Sequence, residues 1–208
     1  MTVLSTKERI LNTTEQIISE KGFSSISLRT ISTDAKTNLA AVNYHFGNKE
    51  NLIEMMLERR LDNLFQLRIN LLDNLEAGSS LPCNLKQILE AFIAPALTMS
   101  NDNHQGGKRF MKVLARAYAE KSEYLHSLLS KRYANVIKRF SMALQRACPE
   151  LENNVVFWRF HFIMGALVYV MADFGASSRS TGKTESEYFK TCCDELIDFS
   201  ISSLSKTI

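Results

Sequence analysis

Side chains that can donate hydrogen bonds are concentrated in one short stretch near the start of the chain. Asn43, Tyr44 and His45 are consecutive, and Lys49 follows at the start of the next predicted helix. Amide, phenol and imidazole groups bond base edges and phosphate oxygens, and a lysine at a helix N-terminus adds charge where exposed amides already favour an anion. Small residues such as Ala40 precede them and let a helix approach base edges closely. The stretch has the chemistry of a nucleic-acid contact.

The residues around this stretch predict three short helices. Ser5 begins a capping box, and Gly22 tolerates the left-handed conformation that ends the first helix. Ser27 caps a second helix. A three-residue turn then leads into a third helix over residues 39–46, whose Val42 and Phe46 are spaced to face inward. Two short helices around such a turn, with a third before them, are the geometry of a helix-turn-helix.

The rest of the chain predicts longer helices. With 8 Gly and 3 Pro among 208 residues, 45% hydrophobic and 23% charged, the composition is that of a globular protein built from long helices and short loops. Pro95 should end or kink its helix, and the polar segment 98–107 predicts a loop. The expected helices cover residues 49–77, 84–98, 108–121, 123–147, 153–175 and 184–205. The fold class is therefore all-α, with about nine helices in total.

Other classes of protein find little support in the sequence. The four histidines and four cysteines lack metal-ligand spacing, and the chain has no nucleophile elbow and no glycine-rich phosphate loop. We therefore expect no enzymatic activity, no catalytic or metal site and no cofactor. The longest apolar run, residues 162–172, falls short of the about 20 residues that span a membrane, which predicts a buried core helix and no membrane partner. The N-terminus is polar and lacks a signal peptide, so we expect a cytoplasmic protein.

Residues 27–53, SLRTISTDAKTNLAAVNYHFGNKENLI, resemble the DNA-binding signature of the TetR/AcrR family of repressors. The resemblance implies a helix-turn-helix domain at residues 1–48 and a larger helical domain for effector binding and dimerisation at residues 49–208. It also assigns roles. Base reading falls to Asn38, Leu39, Ala40 and Asn43, and phosphate binding to Tyr44, His45 and Lys49, with Arg29 and Thr37 as further candidates. The alternative for Tyr44 and His45 is packing in the core of the domain.

One residue departs from the family pattern. The family usually has glycine in the turn where this chain has Lys36. A lysine in the left-handed conformation costs roughly 1 kcal/mol relative to glycine. Either the lysine adopts that conformation, or the turn has another shape.

The resemblance also implies an effector pocket in the larger domain and a homodimer formed by the last two helices. A dimer of this kind reads a near-palindromic operator of double-stranded DNA, with half-sites about one helical turn apart. The expected pocket residues are Phe92, Phe110, Met111, Leu114, Arg116, Tyr118, Tyr133, Ile137, His161 and Met164. The expected dimer interface contains Phe157, Gly165, Val168, Ala172, Leu196 and Phe199.

Residues 109–120 (RFMKVLARAYAE) and 157–169 (FWRFHFIMGALVY) resemble the sensor domain of fatty-acid-responsive repressors of the PsrA-like branch. This resemblance implies a small hydrophobic effector with an anionic headgroup, such as a long-chain fatty acid or its acyl-CoA ester. The headgroup would need a cation such as Arg109, Arg116, Arg159 or His161. For Arg159 and His161 the alternative is a structural network. A multidrug sensor of the same family that controls an efflux gene, and an activator in place of a repressor, also remain open.

Overall fold

The computed structural model describes residues 4–78, 83–101, 106–120, 122–172, 182 and 184–205. Every regular element in these residues is helical, which confirms the all-α prediction. In chain order the helices are α1 (Thr6–Lys21), a 3₁₀ turn (Phe23–Ser25), α2 (Leu28–Asp34), α3 (Leu39–Phe46), α4 (Lys49–Gly78), α5 (Leu85–Asn101), α6 (Gly107–Ala119), α7 (Glu123–Leu128), a π turn (Leu129–Tyr133), α8 (Ala134–Ala147), α9 (Asn153–Ala172) and α10 (Glu185–Leu204).

The predicted caps of the first helices are present. Ser5 and Glu8 form the capping box of α1, and Gly22 follows that helix with φ of 84°. The Ser27 side chain accepts the backbone N–H of Thr30 at the start of α2. These short helices begin and end where local hydrogen bonds and backbone freedom dictate.

Two predictions for the later helices are wrong. α5 continues through Pro95 to Asn101, so residues 98–101 are helical and the predicted loop starts later; residues 102–105 lie outside the described residues. The side chains around Pro95 are largely buried, and packing on that scale outweighs the lost backbone hydrogen bond. The single helix expected over residues 123–147 is instead interrupted by the π turn. Counting α7, the π turn and α8 as one interrupted helix, the described residues contain the nine predicted helices.

The chain divides into two compact units. The first contains Met1–Asp62 together with Arg109–Arg132, and the second contains Asn63–Lys108 together with Tyr133–Ile208. The unit that holds the three N-terminal helices therefore extends beyond the predicted boundary at residue 48. It includes the first part of α4, most of α6 and all of α7.

Each unit has its own core. In the first unit α1 packs against α2 and α3, and the buried side chains include Ile10, Ile18, Ile31, Val42 and Leu52. In the second unit α10 packs against α5 and α9, and α8 also packs against α5 and against α9. At its centre the ring of Phe92 contacts those of Phe140 and Phe160, both at 5.0 Å between centroids.

Candidate nucleic-acid interface

The helix α3 buries one edge and exposes the rest. Val42 and Phe46, four residues apart, are 0% and 4% exposed, as their spacing predicted. The side chains of Leu39, Ala40 and Asn43, three of the four predicted base-reading residues, are all exposed. α3 thus combines a firm anchor with an outward surface of small and polar groups, as a recognition helix requires.

Asn38, the fourth predicted base-reading residue, caps α3. Its Oδ1 accepts the backbone N–H of Ala41 at 2.7 Å. A side-chain oxygen at this position satisfies an amide that has no partner inside the helix. The oxygen is committed to the helix, so a contribution of Asn38 to base reading comes from its amide nitrogen.

Tyr44 lies almost entirely in solvent. It is 86% exposed, which excludes the alternative that it packs in the core. Its ring meets the ring of His45 edge-on, 5.3 Å between centroids. His45 is half-buried, and its ring centroid lies 6.0 Å from that of Phe46. Tyr44 is therefore open to a phosphate, whereas His45 also contributes packing.

The turn between α2 and α3 contains a lysine in the left-handed region. Lys36 has φ of 50°, so the first of the two predicted possibilities is confirmed. Backbone bonds close the turn: Lys36 N–H donates to Thr33 O at 3.1 Å, and Thr37 N–H donates to Ser32 O at 2.9 Å. Thr37 is half-buried here, and Arg29 is exposed on α2.

Lys49 is the first residue of α4. Gly47, with φ of 74°, separates it from α3, and the Asn48 Oδ1 accepts the backbone N–H of Asn51 at 2.8 Å. Lys49 itself is half-buried. It therefore stands at a capped helix N-terminus, where backbone amides and the helix dipole favour an anion.

A buried ion cluster joins α1 to α4 beneath this surface. The Glu15 carboxylate, 2% exposed, accepts from Arg59 at 2.8 Å and from Arg60 at 3.2 Å. Arg59 also donates to Asn12 Oδ1 at 2.8 Å. Burial lowers the pKa of the Arg59 guanidinium, and Arg60 adds repulsion, while Glu15 opposes both effects. The cluster holds the first part of α4 in a fixed position against α1.

The predicted pocket residues are divided between the two units, and three of them do not face an interior. Tyr118 is 48% exposed on the polar side of α6, and His161 is exposed, with its Nδ1 2.9 Å from Phe157 O. Arg116 instead binds the carbonyl oxygens of Ser19 and Glu20 in α1. Phe92, Phe110, Met111, Leu114 and Tyr133 are buried, while Ile137 and Met164 are half-buried.

The candidates for a headgroup partner need a correction as well. Arg109 is exposed, and Arg159 donates to the carbonyl oxygens of Ser203 and Ser205 at the end of α10, which is the structural alternative. Arg68 was not among the pocket residues predicted from the sequence. It is 4% exposed, lies 3.8 Å from the centroid of the Phe92 ring and donates from Nε to Phe92 O at 2.8 Å. The amphipathic pattern of the long helix α4 did not indicate that Arg68 would be buried.

One side of α9 is apolar and exposed. Phe157, Trp158, Phe162 and Tyr169 are 43%, 52%, 66% and 66% exposed, and Gly165 is exposed between them. Trp158, Phe162, Gly165 and Tyr169 follow one another at intervals of three or four residues, which places them on one side of the helix, with Phe157 beside Trp158. In α10, Phe199 is 57% exposed. Of the other predicted interface residues, Val168 is half-buried and Leu196 is buried, at 6% exposure. The side chain of Ala172 lies outside the described residues.

The opposite side of α9 belongs to the core, with Val156, Phe160, Ile163, Leu167 and Met171 buried. By length and composition alone, Asn153–Met171 could cross a membrane, at a mean hydropathy of 1.4 with 28% of the span buried. The uninterrupted apolar run is still the eleven residues 162–172; the longer span also includes polar residues such as Arg159 and His161. The prediction of a core helix holds for one side only.

Within the described part of the chain, no group of three or more His, Cys, Asp or Glu side chains could hold a metal ion. A capped, outward-facing helix after a short turn, anchored on a third helix, defines a helix-turn-helix DNA-binding protein. Comparison with known families agrees. Residues 10–56 match the family described as bacterial regulatory proteins, tetR family, and residues 90–202, over half of the chain, match the tetracyclin repressor-like C-terminal domain. The chain belongs to the TetR family of transcriptional regulators, which are not enzymes.

Individual relatives are distant. The Probable HTH-type transcriptional regulator YttP of Bacillus subtilis is 35% identical over 54 residues, which span 26% of each protein. The solved structures that share the fold include the following three. AmtR of Mycobacterium smegmatis has a TM-score of 0.67 at 14% identity, covering 100% of this chain and 90% of that one. The ketosteroid transcriptional regulator KstR2 of Mycobacterium tuberculosis has a TM-score of 0.68 at 17% sequence identity, covering 99% of this chain and 98% of that one. The fatty acid degradation regulator FadR of Bacillus halodurans has a TM-score of 0.61 at 14% sequence identity, covering 95% of this chain and 97% of that one.

Proposed function

We propose that this protein is a dimeric, cytoplasmic transcriptional repressor that a small hydrophobic effector releases from a near-palindromic operator. The observation that carries the DNA-binding part is the surface of α3, where Asn43 and the 86% exposed Tyr44 project from a helix anchored by two buried residues. Polar donors exposed in this way bond phosphates and base edges. Family membership supports the same function.

We assign residues to phosphate binding or to base reading from their side-chain chemistry and their exposure. Tyr44 and Lys49 bind phosphates, His45 assists them, and Arg29 and Thr37 are further phosphate contacts. Phosphate contacts orient the protein without carrying sequence information. Leu39, Ala40 and Asn43 read base edges, with help from the amide nitrogen of Asn38. The side chains in the second group are small or polar and exposed, so they fit a major groove.

A second copy of the chain covers the exposed side of α9. Soluble monomers rarely expose large contiguous apolar patches, and the exposed aromatic residues of this helix include Trp158, Phe162 and Tyr169. Phe199 of α10 adds to the apolar surface, and Arg159 bonds α9 to the carbonyl end of α10. An isologous pairing of these two helices buries the aromatic side chains and sets the distance between two recognition helices.

The core of the second unit supports an anionic, apolar effector. Among the described residues Arg68 is the buried basic side chain, and the Phe92 ring lies against its guanidinium. A buried cation surrounded by aromatic rings suits a ligand that combines an acidic headgroup with a hydrocarbon tail. Phe65 and Tyr133 stack at 4.2 Å in the same unit, so an effector enters by displacing packed rings.

The shared fold is compatible with such a ligand. One protein of the same fold is described as a fatty acid degradation regulator, and another as a ketosteroid transcriptional regulator. At 14% and 17% identity these likenesses concern the fold alone. The charge of Arg68 is the reason to favour a fatty acid or its acyl-CoA ester over a neutral or cationic drug.

The proposed switch runs through α4, which begins at Lys49 beside α3 and continues into the second unit. An effector that tilts α4 moves the first unit, because Arg59 and Arg60 bind Glu15 of α1. Two recognition helices displaced in this way no longer match the spacing of their half-sites. A tenfold loss of operator affinity requires only about 1.4 kcal/mol of coupling.

Native mass spectrometry of the purified protein with oleate and with oleoyl-CoA tests the effector. We expect a dimer that takes up one acyl ligand per subunit, and the bound species identifies the free acid or the ester. The variant Arg68→Met should lose this uptake, whereas Arg146→Met, which removes a surface ion pair with Glu76, should retain it. A dimer that binds neither compound contradicts the acyl proposal, and uptake of a cationic dye in their place would favour the multidrug alternative.

A further inference from the structure

The last turn of α6 binds the end of α1 across 96 and 97 residues of sequence. The Arg116 guanidinium donates to the carbonyl oxygens of Ser19 at 3.2 Å and of Glu20 at 3.0 Å. Carbonyl groups in the last turn of a helix lack partners within the helix, and the negative end of the helix dipole attracts a cation. Arg116 therefore acts as a cap for α1 that is supplied from another helix.

Glu120, the residue directly after α6, binds the backbone of Phe23, two residues beyond the end of α1. Its carboxylate accepts the backbone N–H of Phe23 at 3.1 Å and lies 3.8 Å from Arg116. Phe23 begins the 3₁₀ turn, is 7% exposed, and stacks on Tyr124 with 6.3 Å between ring centroids. Arg116 and Glu120, together called the α1 clamp, thus bind both sides of the bend between α1 and α2.

Gly22, at the centre of this bend, permits the close approach. A Cβ placed on Gly22 would lie 2.6 Å from the Glu120 Oε1 and 3.4 Å from an Arg116 nitrogen. The residue also has φ of 84°, which side chains disfavour. A glycine is therefore required here by the α1 clamp as well as by the backbone.

We propose that Arg116 and Glu120 are positioning residues for DNA recognition. The α1 clamp fixes the bend, the bend leads directly to Ser27, the cap of α2, and α1 packs against both α2 and α3. The orientation in which α2 and α3 meet DNA then depends on α6. The α1 clamp makes no DNA contact in this proposal and acts only through the backbone it holds.

The competing explanation is that Arg116 and Glu120 only stabilise α6. An exposed ion pair between residues four apart stabilises its own helix only weakly. A double exchange, Arg116→Glu with Glu120→Arg, distinguishes a positioning role from a role in stabilising α6 alone. It keeps an ion pair between residues 116 and 120 at the end of α6, with the acidic residue first, as helices favour. A glutamate, however, cannot donate to Ser19 O, and an arginine cannot accept from Phe23 N–H.

The experiment uses the full chain and a duplex that the wild-type protein selects from random-sequence DNA. We expect the double exchange to lower affinity for the selected duplex by about tenfold. Affinity for an unrelated duplex should stay within about twofold, because the charges that bind phosphates are unchanged. Hydrogen exchange at the Phe23 amide should quicken. Glu120→Gln, which keeps an acceptor oxygen, should retain more of the specificity than Glu120→Ala.

The matched control is Arg132→Ala. Arg132 pairs with Glu58 at 3.2 Å and Asp62 at 2.9 Å, both in α4 of the same unit. Its replacement leaves Arg116 and Glu120 in place, so the ratio of selected to unrelated affinity should not change. If the double-exchange variant folds and keeps the wild-type ratio of selected to unrelated affinity, the proposal is overturned. If that variant does not fold, Glu120→Ala is used in its place, and a wild-type ratio in Glu120→Ala overturns the proposal. Failure of the wild-type protein to select any duplex would overturn the DNA-binding function itself.

Discussion

Replacing Glu15 by glutamine removes the charge at the centre of the α1–α4 cluster with little change in shape. The carboxylate is 2% exposed, whereas its partners Arg59 and Arg60 are 23% and 15% exposed. Losing one partner of a fully buried ion pair costs about 3–5 kcal/mol, and of an exposed pair about 0–1 kcal/mol. Because the arginines keep some contact with water, we expect Glu15→Gln to reduce the free energy of unfolding by about 2–3 kcal/mol.

A second carboxylate provides the comparison. Glu76 also binds two arginines, Arg139 at 2.6 Å and Arg146 at 2.5 Å, but it is 29% exposed. Glu76→Gln should therefore cost no more than about 1 kcal/mol. Arg139 also keeps Asp73 at 2.7 Å when Glu76 is neutralised, so the greater exposure of Glu76 and this second carboxylate both make the loss smaller than for Glu15.

Urea and thermal unfolding of both variants measure the difference. For a chain of this length, 2–3 kcal/mol corresponds to a fall in Tm of about 4–12 °C. Hydrogen exchange should quicken in α1 for Glu15→Gln and leave α10 unchanged, because the two helices belong to different units. Equal losses in the two variants, or a loss below about 0.5 kcal/mol for Glu15→Gln, would show that burial of the Glu15 carboxylate does not stabilise the α1–α4 contact.

Three further changes test other parts of the structure. Lys36→Gly should raise the free energy of unfolding by up to about 1 kcal/mol, since glycine relieves the φ of 50°, and an unchanged urea midpoint would contradict this. Lys49→Ala should weaken binding to all duplexes and reduce the salt slope by about 1, whereas Asn43→Ala should mainly relax sequence preference; anisotropy titrations at several salt concentrations would show the opposite pattern if the roles are reversed. Phe162→Asp should convert the dimer to a monomer in sedimentation equilibrium, because the dimer would bury the charge, and an unaltered dimer would place the interface elsewhere.

Local features of the first three helices could be predicted from sequence. The Ser5 capping box, the Ser27 cap and the positive φ of Gly22 each depend on residues within one helical turn. The same holds for Lys36, where the mismatch with the family pattern pointed to a strained turn. The buried and exposed sides of α3 could also be predicted, because Val42 and Phe46 determine which edge of such a short helix is buried.

Contacts between distant segments could not be predicted in this way. Arg116 was expected in a pocket, yet it binds α1, because helical periodicity shows which side of α6 is polar but not which helix lies opposite. Arg68 lies in the core although arginine is ordinarily exposed, and its stabilisation by Phe92 requires a helix 24 residues away. Pro95 shows the same limitation, since tertiary packing kept α5 helical beyond a residue that locally disfavours it.

DNA recognition is tested by selecting duplexes from random-sequence DNA with the whole 208-residue chain and then titrating the enriched sequence. We expect a near-palindrome bound by a dimer, with half-site centres about 10 base pairs, or one helical turn, apart. Inserting about 5 base pairs between the half-sites should then abolish tight binding, because it turns one half-site to the opposite side of the duplex. Enrichment of no sequence, or equal affinity for the duplex with the insertion, would contradict it.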